Sequence, residues 1–111
     1  MKQELNPAMV GTFAKVGNEY GFIDSAFEIG YGFVTSSPTG WTGKIVRPSE
    51  VQLATNEERP IAKSAALNYY RLEITSLRRR LNANYEIDDP DYLNSLISTY
   101  EAEINYLSTN L

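Results

Sequence analysis

Leu67-Asn68-Tyr69-Tyr70-Arg71-Leu72-Glu73-Ile74-Thr75-Ser76-Leu77-Arg78-Arg79-Arg80-Leu81 is the stretch whose reading decides the fold. Leu67, Tyr70, Ile74, Leu77 and Leu81 step by three, four, three and four, which draws one narrow apolar seam along an α-helix. Leu93, Ile97, Tyr100, Ile104, Leu107 and Leu111 step by four, three, four, three and four and draw a second seam. Between the seams, Asn82, Asn84 and Glu86-Ile87-Asp88-Asp89 break the period. Asp89 suits an N-cap and Pro90 suits the first helical position, where a missing N–H costs nothing. The connection is short, so the expectation is an antiparallel hairpin with helices over about 60–83 and 90–110, its two seams burying each other.

Working back from the hairpin, Thr55 with Glu58 three residues later fits a capping box, and Pro60 is tolerated only in a first turn. The first helix carries extra apolar surface at Ala62, Ala65, Ala66, Tyr69 and Leu72. A helix apolar on two sides is buried on two sides, so this half is expected to pack on whatever precedes it as well as on the second helix.

What precedes it reads as β. Val10, Thr12, Ala14 and Val16 alternate with Gly11, Phe13 and Lys15. Gly17-Asn18 is a hairpin turn signal. Strands are then expected at Tyr20–Asp24, with Ala26–Ile29 continuing it or bending across a corner, at Gly30–Thr35, at Trp41–Val46 and at Glu50–Leu53. Ser36-Ser37-Pro38-Thr39-Gly40 reads as a loop. Five short strands with glycines at their bends suggest a small closed barrel. The expected fold class is therefore α+β: residues 1–54 form a small five-stranded SH3-like or OB-like barrel, and residues 55–111 form a two-helix hairpin packed on it.

Two resemblances bear on the barrel. The segment Gly40-Trp41-Thr42-Gly43-Lys44-Ile45-Val46-Arg47-Pro48-Ser49-Glu50-Val51-Gln52-Leu53 resembles the end of SH3-like domains, where a Gly-x-x-Gly-x-aliphatic strand meets a Pro-Ser turn and a short strand carrying Val. That resemblance implies that Val51 and Leu53 close the barrel. The acidic-aromatic motif and paired tryptophans of peptide-binding SH3 domains are absent from the sequence, so proline-rich peptide binding is not implied. Gly11-Thr12-Phe13, Tyr20-Gly21-Phe22-Ile23 and Phe33-Val34 resemble the base-stacking strands of cold-shock domains, and Tyr31-Gly32-Phe33-Val34 resembles the aromatic strand of RNA-recognition motifs. That resemblance implies Tyr20, Phe22 and Phe33 as stacking platforms for single-stranded nucleic acid. Residues 1–54 hold four basic and five acidic groups, which leaves no phosphate-binding stripe, so aromatics in the core of alternating strands is the preferred reading.

Composition narrows function further. With no Cys and no His, the chain lacks disulfides, thiolate chemistry and the commonest general base and metal ligand. A net charge of −4 disfavours a nucleic-acid or anionic-membrane partner, and no apolar run is long enough to span a membrane. The N-terminal Met1-Lys2-Gln3-Glu4-Leu5 has no signal-peptide apolar core. Gly40-Trp41-Thr42-Gly43-Lys44 has the wrong spacing for a phosphate loop. Asp88, Asp89 and Asp91 lack the rest of a calcium loop and are better explained as helix caps. The expectations are no catalytic residues, no cofactor and no metal.

The remaining candidates are surfaces. Arg78-Arg79-Arg80 can contact an acidic partner, or can complement the helix C-terminus and the nearby aspartates; the second reading is preferred. Tyr92, Leu96 and Tyr106 lie off the second seam, and Tyr is enriched at interface hot spots. The expected function is a non-enzymatic structural or assembly protein, working in the cytoplasm or in an intracellular assembly, that forms a homo-oligomer or docks on other protein chains. A small virion or phage component fits. An inhibitor or adaptor docking on one cellular protein is the alternative, and single-stranded nucleic-acid binding by the barrel is the second.

Overall fold

The computed structural model describes residues 6–110. Five antiparallel strands are followed by two helices, an α+β arrangement. The strands are β1 (Phe13–Val16), β2 (Glu19–Phe27), β3 (Gly30–Ser37), β4 (Gly40–Val46) and β5 (Val51–Leu53); the helices are α1 (Arg59–Ala83) and α2 (Pro90–Asn110). The spatial order is β4-β3-β2-β1-β5. Strand pairing does not close the sheet: β4 and β5 are its two edges. The residues read as a Ser-Pro-Thr-Gly loop are mostly strand, because Ser36 and Ser37 pair with Trp41 and Gly40 and leave only Pro38-Thr39 as the turn.

Turn chemistry fixes the register. Val16 pairs with Glu19 across Gly17-Asn18, and Gly17 takes a left-handed φ of +61°, which a residue with a Cβ adopts only at a cost. β2 is one long strand with a bulge: its pairing with β3 shifts between Ile23 and Ser25. A bulge bends a strand and increases its twist. Residues before the bulge pair with β1 on one side, and residues after it pair with β3 alone. After β4, Pro48–Glu50 makes a 3-10 turn that returns the chain to lay β5 against β1.

Period-two alternation puts apolar side chains on both faces. Ala14, Val16, Ile23, Tyr31, Phe33 and Val46 share one buried cluster, with Met9 and Val51 against it. Because that cluster draws on β1 to β5, the sheet must curl around it. Of the two aliphatics of β5, Val51 packs against this cluster and Leu53 is exposed. The opposite, outer face carries Phe13, Phe22 and Val34, which are cross-strand partners; the Phe13 and Phe22 rings lie 5.6 Å apart.

The first three turns of α1 cover part of that outer face. The capping box forms as expected: the Thr55 N–H donates to Glu58 Oε1 at 3.0 Å, and the Glu58 N–H donates to Thr55 Oγ1 at 3.2 Å. Tyr20 OH donates to the same Glu58 carboxylate at 2.8 Å. The Arg59 guanidinium lies 5.8 Å from the Phe13 ring centre. Ser36 Oγ donates to the Ala65 carbonyl at 2.7 Å and accepts from Asn68 Nδ2. The Tyr69 hydroxyl ends over Gly43, where a Cβ would lie 2.8 Å from it. These contacts place the chain's division into two compact units between Tyr69 and Tyr70, inside α1, whereas the sequence reading set its boundary after residue 54.

The second unit is the hairpin. Ile74, Leu77, Leu93 and Ile97 form its buried core, with Leu81, Leu96, Tyr100 and Ile104 packed against them. Tyr70 is buried with its ring 5.6 Å from that of Tyr100. The two seams do bury each other. Leu111, the last residue of the second seam, lies outside the described residues. α1 ends where Asn84 adopts a left-handed φ of 54° and its N–H bonds back to the Arg80 carbonyl at 3.1 Å. Asp89 Oδ1 accepts from the Asp91 N–H at 3.0 Å, capping α2.

Candidate interaction surface

The outer face of the sheet is only partly covered. On β3, Gly30, Gly32 and Val34 share that face by alternation, and α1 reaches only as far as Val34 and its partner Gly43. Beyond them β3 has no side chains to offer. The flanking strands do: Phe27 pairs with Gly30, and Ile45 pairs with Gly32. The result is a groove of about 280 Å³ with a glycine floor, walled by Phe27 on β2, Ile45 on β4 and Tyr69 on α1. Phe27 is 47% exposed and Ile45 is 51% exposed, and Ile29 in the adjoining turn is more exposed still.

As the strands stand, neither Gly30 nor Gly32 has room for a Cβ, against backbone at Gly30 and against side chains at Gly32. A Cβ on Gly32 would lie 2.1 Å from Ser25 Oγ, and one on Gly30 would lie 2.3 Å from the Val46 carbonyl oxygen. Asp24 borders the groove on the β2 side, while Lys44, in register with the inward-facing Phe33, alternates to the other face of β4 from Ile45. Lys44 also pairs with Glu19 at 2.5 Å. β4 itself is an open edge whose residues Trp41 to Ile45 are all exposed, and an unpaired edge is a template for another chain.

The hairpin connection has the opposite shape. Tyr85 and Ile87 project from it, and Ile87 is 93% exposed. The connection is nonetheless held. The Asp88 N–H donates to the Tyr85 carbonyl at 3.1 Å, and Arg80 makes a two-pronged ion pair with Asp88, Nη2 to Oδ1 at 2.5 Å and Nε to Oδ2 at 3.3 Å. Arg80 holds the Asp88 carboxyl below the ordinary aspartate range, and Asp88 in turn raises the Arg80 guanidinium. Glu58 is also lowered, first by the backbone N–H of Thr55 and then by Tyr20 OH.

The residues expected to form an interface do not form one cluster. Arg80 is tied to Asp88, Arg78 lies 3.8 Å from Glu101, and Arg79 is exposed. The structural reading of the run thus accounts for Arg80 directly. Tyr92 and Tyr106 are exposed on α2, whereas Leu96 packs against the hairpin core. The stacking residues are corrected by burial. Phe22 is 2% exposed and Phe33 is 0% exposed, and they belong to opposite faces, so neither offers a ring to a base. Tyr20 is half-buried with its hydroxyl on Glu58.

Sequence reasoning missed Phe27, Ile29, Ile45 and Ile87. Gly30-Tyr31-Gly32 held a signal for the groove: glycines two apart strip one face of a strand. For Ile87 the signal was an aliphatic residue inside an acidic connection. Among the described residues, no group of three or more acidic side chains is arranged to hold a metal, and no helix is long and apolar enough to cross a membrane. No family model, curated protein or solved structure matches the chain.

Proposed function

We propose that this chain is a non-enzymatic assembly protein that self-associates or docks on other protein chains through the open section of its sheet. The observation that supports it is the glycine-floored groove between Phe27 and Ile45, which leaves large apolar side chains half in water beside an unpaired strand edge. A monomer gains by covering such a surface, and its own α1 stops short of it. The reading takes the sheet as SH3-like; the Pro48-Ser49 turn after β4 and a short β5 carrying Val51 against β1 support that. A component of a viral or phage particle is a setting this size and architecture suit.

Sedimentation velocity on the full chain over a wide concentration range, with capture from a lysate of the source cells, tests the reading. Concentration-dependent growth in mass is the expected result. One stoichiometric companion chain with no self-association would assign the inhibitor or adaptor role. A chain that stays monomeric and retains no companion overturns the proposal.

A further inference from the structure

We infer that two copies of this chain pair edge to edge through β4, antiparallel about a two-fold axis at Gly43, so that their five-stranded sheets join into one. The inference rests on the self-association form of the proposed function and names its contact. Three observations carry it.

The first is the character of the edge. Sheet edges are normally blunted by short length, proline, a bulge or charge. β5, at one edge, has three residues. β4, at the other, has seven, contains no proline and keeps regular register with β3 along its whole length. Its one charged residue, Lys44, is tied to Glu19 on β2. Trp41 to Ile45 are all exposed.

The second is the direction of its backbone groups. The two-residue turn Pro38-Thr39 closes on Ser37 and Gly40, which form a hydrogen-bonded pair. Such pairs alternate along an antiparallel ladder, so Gly40, Thr42, Lys44 and Val46 bond to β3. Trp41, Gly43 and Ile45 turn their N–H and C=O groups the other way, toward the open side. An antiparallel copy of β4 centred on Gly43 meets these three residues with the same three in reverse order. Gly43 then exchanges both of its bonds with Gly43 of the second copy.

The third is the order of side chains, which reads alike in both directions from Gly43. Large apolar residues, Trp41 and Ile45, stand two positions to either side, and polar residues, Thr42 and Lys44, stand one. Gly43 is also the midpoint of β4, so this register pairs the whole strand. It sets Trp41 opposite Ile45 of the second copy at both ends, an aromatic against a β-branched side chain, which is a favourable cross-strand pair. It sets Lys44 opposite Thr42 of the second copy. An axis at Lys44 would put two lysines face to face, and an axis at Thr42 would put Trp41 against a glycine. Each β4 has one open side, so the contact is isologous and closes at a dimer.

Sedimentation velocity on the full chain should therefore show monomers and dimers and nothing larger. Hydrogen exchange on the wild type reads the backbone. Between dilute and concentrated protein the Gly43 and Ile45 amides should slow, whereas those of Thr42 and Lys44, already bonded to β3, should not change. Thr42→Lys, at an exposed position, sets a lysine opposite Lys44 of the second copy at both ends and should weaken dimerisation about tenfold. Adding Lys44→Thr exchanges the two residues and should restore it, at the loss only of an exposed ion pair with Glu19. Circular dichroism checks each variant's fold. Self-association with Gly43 and Ile45 exchanging unchanged would overturn the β4 contact while leaving the proposed function standing. Protection at both amides without restoration in the double variant would overturn the axis at Gly43. Growth past the dimer would overturn the closed pairing. A wild-type monomer at every concentration overturns the whole inference, and lysate capture then decides separately whether docking on another chain survives.

Discussion

At the scale of single residues, the fold depends on side chains that are absent as much as on those present. Gly21 sits between β1 and β3, where a Cβ would lie 2.1 Å from the Val34 carbonyl oxygen and 3.0 Å from the Phe33 ring. Backbone cannot step aside as a flexible side chain can, so Gly21→Ala should cost about 2–3 kcal/mol of unfolding free energy, the upper range for overpacking. Gly40, with nothing within 4 Å of its position, is the control: Gly40→Ala should stay within about 0.5 kcal/mol in the same urea titration. The Arg80–Asp88 pair makes a prediction in pH. The Asp88 pKa is lower in the folded chain than unfolded, so the folded state holds fewer protons at this group between the two values. Its contribution is full above the unfolded aspartate value of about 3.9 and is lost as pH falls through the lower folded one. Asp88→Asn should therefore show a shallower fall of melting temperature than wild type from pH about 5 downward, with the gap between them closing in acid.

At the scale of elements, the hairpin separates buried seam from exposed surface within adjacent positions. Leu93 is almost fully buried in the hairpin core, while Tyr92 beside it is exposed. Leu93→Ala should destabilise by about 2–4 kcal/mol through lost contacts and the cavity left behind. Tyr92→Ala should move stability by no more than about 0.5 kcal/mol, measured in the same denaturant series. If Tyr92→Ala costs as much as Leu93→Ala, the seam assignment is wrong. The helices were legible because a heptad step with caps at both ends admits one reading: the expected spans of 60–83 and 90–110 agree with Arg59–Ala83 and Pro90–Asn110 to within a residue. The strand ends were less legible. Ser36 and Ser37 carry turn composition yet extend β3, because pairing with Trp41 and Gly40 outweighs the weak local preference of serine.

At the scale of the whole molecule, the chain has two compact units joined inside one helix. A defect in the hairpin core should then be felt first in its own unit. In Leu93→Ala, native-state hydrogen exchange should lose protection in residues 70–110 by a larger factor than in β1 to β5. Equal loss everywhere would mean that the chain unfolds as a single cooperative body. The division explains why a boundary read from secondary structure alone fell after residue 54. Arg59, Ala65 and Tyr69 are helical in sequence but belong to the sheet by contact, through Phe13, Ser36 and Gly43.

The sequence by itself determined the element types, the α+β class, both helix spans, the capping box at Thr55 and Glu58 and the mutual burial of the two seams. All of these follow from local periodicity and local hydrogen bonding, which neighbours along the chain define. Tertiary structure alone decided which apolar residues stay in water. Phe22 and Phe27 both lie on the outer face of β2, yet α1 covers the first and stops short of the second. Ile45 and Val46 are adjacent aliphatics on opposite faces of β4, and which face is covered decides that Val46 is buried and Ile45 is not. Exposure depends on what crosses a strand from elsewhere in the chain, so the groove and the Ile87 turn emerge only when residues distant in sequence are brought to their places in space.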